Sequence, residues 1–128
     1  HTENPRVKIG ALGQMDVQTL LMASALLITD FSSIQFDFAY MLKPEIYYQF
    51  DEARYWGTHH DRGYFDYRVD GFGAVVTTQE ALLTAIETAL ASECAVTPEM
   101  QKHIRDTFGA LDDHNCERNH QAIRELMS

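Results

Sequence analysis

Thr29, Asp30, Ser32 and Ser33 crowd into the stretch "ITDFSSIQFDF", and Asp37 follows Ser33 by four residues. Hydroxyls and a carboxylate in so short a span suit the binding of an anion. Each hydroxyl can donate a hydrogen bond, and a helix that starts here offers backbone N–H groups that have no partner within it. Residues four apart share a helix face, so the Asp37 carboxylate could order the serine hydroxyls or accept a ligand hydroxyl. Ser32 and Gln35 also read as an S-x-x-Q capping box. The same residue types are ordinary helix caps, and a purely structural turn has this composition too. The surplus favours a ligand: one cap uses one hydroxyl, and Thr29, Ser32 and Ser33 supply three.

The flanking sequence tells how such a turn would be held. Residues 25–29 are a short apolar run, as in a strand covered on both faces. A helix over 33–42 must end before Pro44, which excludes the helical conformation from Lys43. Further strands are expected at 6–12, where Val7 and Ile9 alternate, at 45–49 ("EIYYQ") and at 73–77 ("GAVVT"). Asp16 can cap a helix carrying Val17, Leu20, Leu21 and Ala25. Residues 50–72 read as a long functional loop with one helical turn near 52–56. Thr77 and Glu80 form a capping box ahead of Leu82, Leu83, Ile86 and Leu90. Thr97 and Pro98 open a helix to about Phe108, and a last helix shows Ile123 and Leu126 on its apolar face. Strands alternating with helices predict an α/β fold, a Rossmann-like three-layer parallel sheet of about four strands. The turn at 29–33 then lies beyond the carboxyl end of a strand, where such sheets bind ligands.

Composition narrows the function classes. A chain of 128 residues, 45% hydrophobic, is the size of one domain spanning 1–128. The net charge of −9 argues against nucleic acid or an anionic membrane surface as the main partner. No apolar run is long enough to span a bilayer. Cys94 and Cys116 lack the spacing of a metal or redox pair, which favours a reducing compartment. The abrupt opening "HTENPRVKIG" reads as a piece cut from a longer protein.

Other candidates carry less. His59, His60 and Asp61 invite a metal, yet adjacent side chains need partners elsewhere to converge on one ion, so a solvated loop, or contact with a donor or acceptor, is preferred and no metal is expected. His103, His114 and His120 fall on predicted helices in structural roles. Tyr47, Tyr48, Tyr55, Trp56, Tyr64, Phe65 and Tyr67 could stack on a base, but such residues more often complete a core. Ser32 or Ser33 as an acyl-transfer nucleophile lacks a G-x-S-x-G turn.

Taken in order, "LLITDFSSIQFDFAYMLKP", "YQFDEARY", "DRGYFDY", "VVTTQEALLTAI" and the late "DDHNCERN" resemble the C-terminal half of the CDP-glycerol:poly(glycerophosphate) glycerophosphotransferase family, the teichoic acid and capsule polymerases. The resemblance covers roughly residues 6–127. It implies a GT-B architecture of two Rossmann-like halves, with this chain as the half that holds the nucleotide-activated donor. Thr29, Asp30, Ser32 and Ser33 match the family's T-D-[YF]-S-S, associated with the donor's pyrophosphate and phosphoglycerol end, and Asp37 matches the Asp of its F-D. Phe31 stands where tyrosine is usual, which points to a packing role there. Asp51 and Tyr55 match a D-x-x-x-Y stretch and are further donor contacts by this analogy. Arg62 and Gly63 match an R-G, with Arg62 a fork-shaped phosphate donor; from sequence alone a salt bridge to Asp61 or Asp66 is as good a reading. The family's catalytic histidines are expected in a preceding half, so no catalytic residue is expected in this chain. The implied partners are a CDP-activated donor such as CDP-glycerol, a polyol-phosphate or glycan acceptor and the N-terminal half of the same protein, with no cofactor and no nucleic acid. The implied place is the cytoplasm or the inner face of the bacterial membrane. A UDP-sugar GT-B glycosyltransferase and a noncatalytic phosphate-binding module remain as alternatives. Two departures stand out: "DGFG" where the family has P-G-P, and Asp113 and His114 where it often has D-G.

Overall fold

The computed structural model describes residues 4–10, 13, 15–58 and 64–127, excluding the side chains of 56–58. In chain order the elements are α1 (Val17–Ala23), β1 (Leu27–Thr29), α2 (Ile34–Tyr40), β2 (Glu45–Tyr48), α3 (Glu52–Thr58), β3 (Gly73–Val76), α4 (Gln79–Ala91), α5 (Pro98–Phe108) and α6 (Asn115–Leu126). The three strands form one parallel sheet in the order β1-β2-β3. The fold is α/β and Rossmann-like, a small parallel sheet flanked by helices.

Local chemistry sets the boundaries. Asp16 caps α1, its carboxylate accepting from the Gln18 N–H at 3.2 Å and from the Thr19 hydroxyl. At the other end of α1, Lys43 Nζ donates to the carbonyls of Leu21, Met22 and Ser24 at 2.9, 2.6 and 2.8 Å. Those last carbonyls have no helical partner, and a cation is favoured there. Thr97 caps α5 through the Met100 N–H with Pro98 in the first turn. The cap of α4 falls on Thr78, not Thr77: the Thr78 hydroxyl accepts from Ala81 N–H at 3.2 Å, which moves Glu80 out of register for the expected box. Helix α2 stops at Tyr40, because Leu42 takes a left-handed φ of 54° before Pro44.

Three expectations are corrected. Residues 6–10 form no strand and are exposed, with Val7 at 50% and Ile9 at 74%. An alternating pattern becomes a strand only where a neighbour supplies ladder partners and a covered face, and among the described residues β1 has a strand on one edge alone. The apolar positions of α6 are likewise uncovered, with Ile123 at 56% and Leu126 at 88% exposed. Residues 52–58 form a two-turn helix rather than a single turn.

The core lies between the sheet, α2, α5 and the segment leading into β3. Ala39, Phe72 and Ile104 are its buried centre, ringed by Phe36, Phe65, Met100 and Phe108. Two glycines make this closeness possible. A Cβ on Gly73 would sit 1.9 Å from the Glu45 carbonyl oxygen, and one on Gly71 would sit 2.1 Å from the Tyr67 carbonyl oxygen. "DGFG" therefore meets the packing demand through glycine at both positions.

Candidate functional site

Thr29 is the last residue of β1 and Ile34 the first of α2, so residues 29–33 turn at the carboxyl end of the sheet's edge strand. Within the turn, Asp30 and Ser33 are exposed while Thr29 and Ser32 are half-buried. The Ser32 hydroxyl accepts weakly from the Ile34 N–H at 3.4 Å. Ser33 occupies the cap position but is itself helical, at φ −66° and ψ −13°, and its hydroxyl makes no capping bond. Asp37 is exposed in the first turn of α2 and makes no hydrogen bond to either serine. Of the three hydroxyls anticipated from the sequence, that of Ser33 is exposed and caps nothing, while Thr29 and Ser32 are half-buried.

The expected Ser32–Gln35 box does not form. Gln35 would have to reach outward and back to the Ser32 N–H, but its position on α2 faces the sheet, where it is 2% exposed. There its Oε1 lies 2.6 Å from Tyr47 Oη. Burial and that bond outweigh reciprocal capping.

Phe31 has the packing role expected of it, and its partners matter. Its ring stacks on Tyr55 of α3 at 3.9 Å between centroids and meets Tyr67 edge-on at 5.6 Å. Tyr55, matched above as a donor contact, therefore presents one ring face to Phe31. Asp51 is half-buried, and its carbonyl opens α3 by accepting from the N–H groups of Arg54 and Tyr55. Arg62 and Gly63, with His59, His60 and Asp61, lie outside the described residues. Their flanks do not: α3 before them and the turn at 66–70 after them both reach Phe31, and Arg68 bridges to Glu52 at 3.0 Å. The D-x-x-x-Y stretch and the "YFDY" stretch are so gathered against the 29–33 turn.

Behind the turn lies a buried polar group that sequence reasoning passed over. Tyr47 Oη bridges Gln35 Oε1 and Glu45 Oε1 and accepts the Phe72 N–H at 3.0 Å. Glu45 is 3% exposed, and burial pushes its carboxyl up to about 7. Burial also pushes up the hydroxyls of Tyr47 and of Tyr67, the latter with added repulsion from Tyr55 and Asp30. The available signal was a glutamate opening "EIYYQ", a strand expected within a three-layer sheet, a placement that needs explaining. Tyr47 and Tyr67 complete the core, as their type suggests.

The other candidates settle into structure. His103 Nε2 meets the Asp70 carbonyl at 3.1 Å, and His114 precedes α6 beside Glu117. At φ −95° His114 has a backbone open to any residue, so glycine is not needed there. Among the described residues no cluster of three His, Cys, Asp or Glu could hold a metal ion, and no helix is long and apolar enough to cross a membrane.

Residues 7–123 match the family model for CDP-Glycerol:Poly(glycerophosphate) glycerophosphotransferase. The chain belongs to that family. Among curated relatives it is similar to the minor teichoic acid biosynthesis protein GgaB of Bacillus subtilis (strain 168), 35% identical over 109 residues, covering 85% of this chain and 12% of that protein. The teichoic acid glycerol-phosphate transferase of Staphylococcus aureus (strain NCTC 8325 / PS 47) is 36% identical over 72 residues, 56% of this chain and 18% of its own. The teichoic acid poly(glycerol phosphate) polymerase of Bacillus subtilis (strain 168) is 40% identical over 75 residues, 56% of this chain and 10% of its own. The chain spans less than a fifth of the length of these relatives. No solved structure matches it.

Proposed function

We propose that this chain is the donor-binding part of a glycerophosphotransferase-type enzyme, one that moves a polyol phosphate from a CDP-activated donor to an acceptor hydroxyl in teichoic acid or capsule synthesis. One observation carries the reading: in a member of this family, the turn at the carboxyl end of β1 exposes a Ser33 hydroxyl that caps nothing, beside a Ser32 hydroxyl held by one long bond of 3.4 Å. Thr29, Ser32 and Ser33 donate to the donor's phosphates. Asp30 and Asp37 accept from donor hydroxyls. Arg62 and Gly63, matched through the family's R-G, bring a guanidinium and a close backbone approach, and Asp51 and Tyr55, matched through its D-x-x-x-Y, are further donor contacts. In phosphoryl transfer the protein mainly positions reactants and stabilises phosphate charge, which is the work assigned to these groups.

In the same reading the chain is the C-terminal half of a GT-B enzyme. The catalytic histidines and the acceptor site belong to the N-terminal half, and no metal or cofactor takes part. The parent enzyme works in the cytoplasm at the inner face of the membrane, against a glycerol-phosphate polymer.

The test is a titration of CDP-glycerol, CDP-ribitol, UDP-glucose and CDP into the isotope-labelled chain, following backbone amide shifts. Saturable shifts at 29–33, larger for the CDP compounds and absent in a Ser32→Ala, Ser33→Ala variant, support the assignment. A preference for UDP-glucose moves it to glycosyl transfer. No response up to about millimolar nucleotide, the weak limit of useful affinity, rejects an autonomous donor site in this chain.

A further inference from the structure

Glu45 opens the central strand β2, flanked by Leu27 of β1 and Gly73 of β3, with no cation in contact among the described residues. Oε1 touches Tyr47 Oη; Oε2 is buried and unpartnered. Three groups converge on that phenol oxygen, one donor and two oxygens: the Phe72 N–H, Gln35 Oε1 and Glu45 Oε1. A phenol carries one proton to give and can accept two. If Glu45 were ionised, its carboxylate and the Gln35 carbonyl would compete for that single proton, and a buried charge would be left with one oxygen unpaired, a costly arrangement. A proton on Glu45 removes the competition and the buried charge, leaving Oε2 a neutral carbonyl oxygen. Glu45 then donates to Tyr47, Tyr47 donates to Gln35 Oε1, and the Gln35 amide nitrogen is free to bond the Tyr67 hydroxyl, with which it is in contact.

We infer that Glu45 is a neutral carboxylic acid in the folded protein, and that its proton, passed on as an ordered chain of hydrogen bonds through Tyr47 to Gln35, positions the start of α2 and hence the 29–33 turn. Gln35 is two residues from Ser33, and Tyr67, at the far end of the chain of bonds, meets the Phe31 ring edge-on. The turn is thus tied at two points to one buried proton. Among the described residues no other ionisable group competes for it closely. Tyr67 and Tyr47 are held protonated by burial, and His103 of α5 lies one residue further out against the Phe72 ring. Glu80 and Glu87 of α4, the other helix on β2, are exposed. The raised titration of Glu45 agrees with this geometry. The role in donor binding rests on the proposed function; the protonation and its hold on the turn do not.

The experiment needs no nucleotide, so its failure is separable from failure of the donor site. The side-chain carboxyl carbon of Glu45 is followed by NMR from pH 4 to 9, together with the amides of residues 32–35. A Glu45 midpoint more than about one pH unit above the ordinary glutamate value is expected, with turn amides moving at the same midpoint. In Glu45→Gln, whose amide can donate to Tyr47 at every pH, that component of the turn shifts should vanish while the low-pH turn geometry is kept. In Tyr47→Phe the Glu45 midpoint should move. An ordinary midpoint in the native chain overturns the protonation, and a raised midpoint that the turn amides ignore, or that survives in them in Glu45→Gln, overturns the positioning. Both readings are taken on the unaltered chain first, so a variant that fails to fold leaves the test standing.

Discussion

Two of the polar turns that precede helices in this molecule treat their side chains in opposite ways. Before α6, Asp112 takes both guanidinium nitrogens of Arg118, at 3.2 and 2.8 Å, and Arg118 also reaches Asn115 at 2.6 Å. Tyr40 donates to the Asp112 carbonyl at 2.9 Å and accepts from Asn115, while His114 meets Glu117. Arg118 holds the Asp112 carboxyl down at about 2. Before α2, by contrast, Ser33 caps nothing, Ser32 contributes one long bond, and Asp30 and Asp37 face solvent. The first turn spends its polar groups on itself and is a fastening between α6 and α2. The second leaves them unspent on the surface while its support, Phe31 and Gln35, is locked from below. Polar groups that a fold holds in place but does not pair are the ones available to a ligand.

Perturbing the support should have the largest effect. Glu45 has a raised folded value, so between about 4.5 and about 7 the native state keeps a proton that the unfolded chain has lost. Its contribution is therefore full below the unfolded value and is lost as pH rises through the folded one. On the order of 3 kcal/mol is expected to disappear across that window, seen in denaturant melts as a falling midpoint that Glu45→Gln flattens. Next in size is Lys43→Met, which strips three carbonyl partners from the end of α1. About 1 to 2 kcal/mol should be lost, with hydrogen exchange in α1 accelerated ahead of the rest.

Breaking the closed turn should be felt locally. Asp112→Asn removes the charge that Arg118 clasps, so α6 amides should lose exchange protection while nucleotide affinity stays unchanged. The linkage here runs the other way from Glu45: Asp112 stabilises above its unfolded value and its contribution goes as pH falls through about 2. Least of all, Ser33→Ala should leave stability within about 0.5 kcal/mol, since the hydroxyl caps nothing. A larger loss in a melt would mean that the open turn is structural after all.

How much of this could be read in advance follows from how local each cause is. Asp16, and Thr97 with Pro98, act on backbone groups within three residues, and their caps were legible. So were the α/β alternation, the stop at Pro44 and the packing role of Phe31. Ser32 with Gln35 looked just as local, but the outcome depended on which face of α2 meets the sheet, and Tyr47, twelve residues on, took the amide. Residues 6–10 and the apolar positions of α6 failed for a related reason: their patterns need a covering surface that the described residues do not supply. Glu45 was hidden because its burial and bonding depend on Gln35 and Phe72, distant in sequence, as well as on the nearby Tyr47. The hydroxyls of the 29–33 turn and its family pattern were legible in the sequence, whereas the Tyr47, Gln35 and Glu45 group beneath it was not.

The most direct test is calorimetric binding of CDP-glycerol to three forms of the chain: unaltered, Ser32→Ala with Ser33→Ala, and Asp112→Asn. If the open turn is the donor site, the double variant binds at least about tenfold more weakly, a loss of about 1.4 kcal/mol, and Asp112→Asn binds within about twofold of the unaltered chain. Equal affinity in the unaltered and double variants, or an equal loss in both altered forms, would contradict the assignment of the 29–33 turn to the donor.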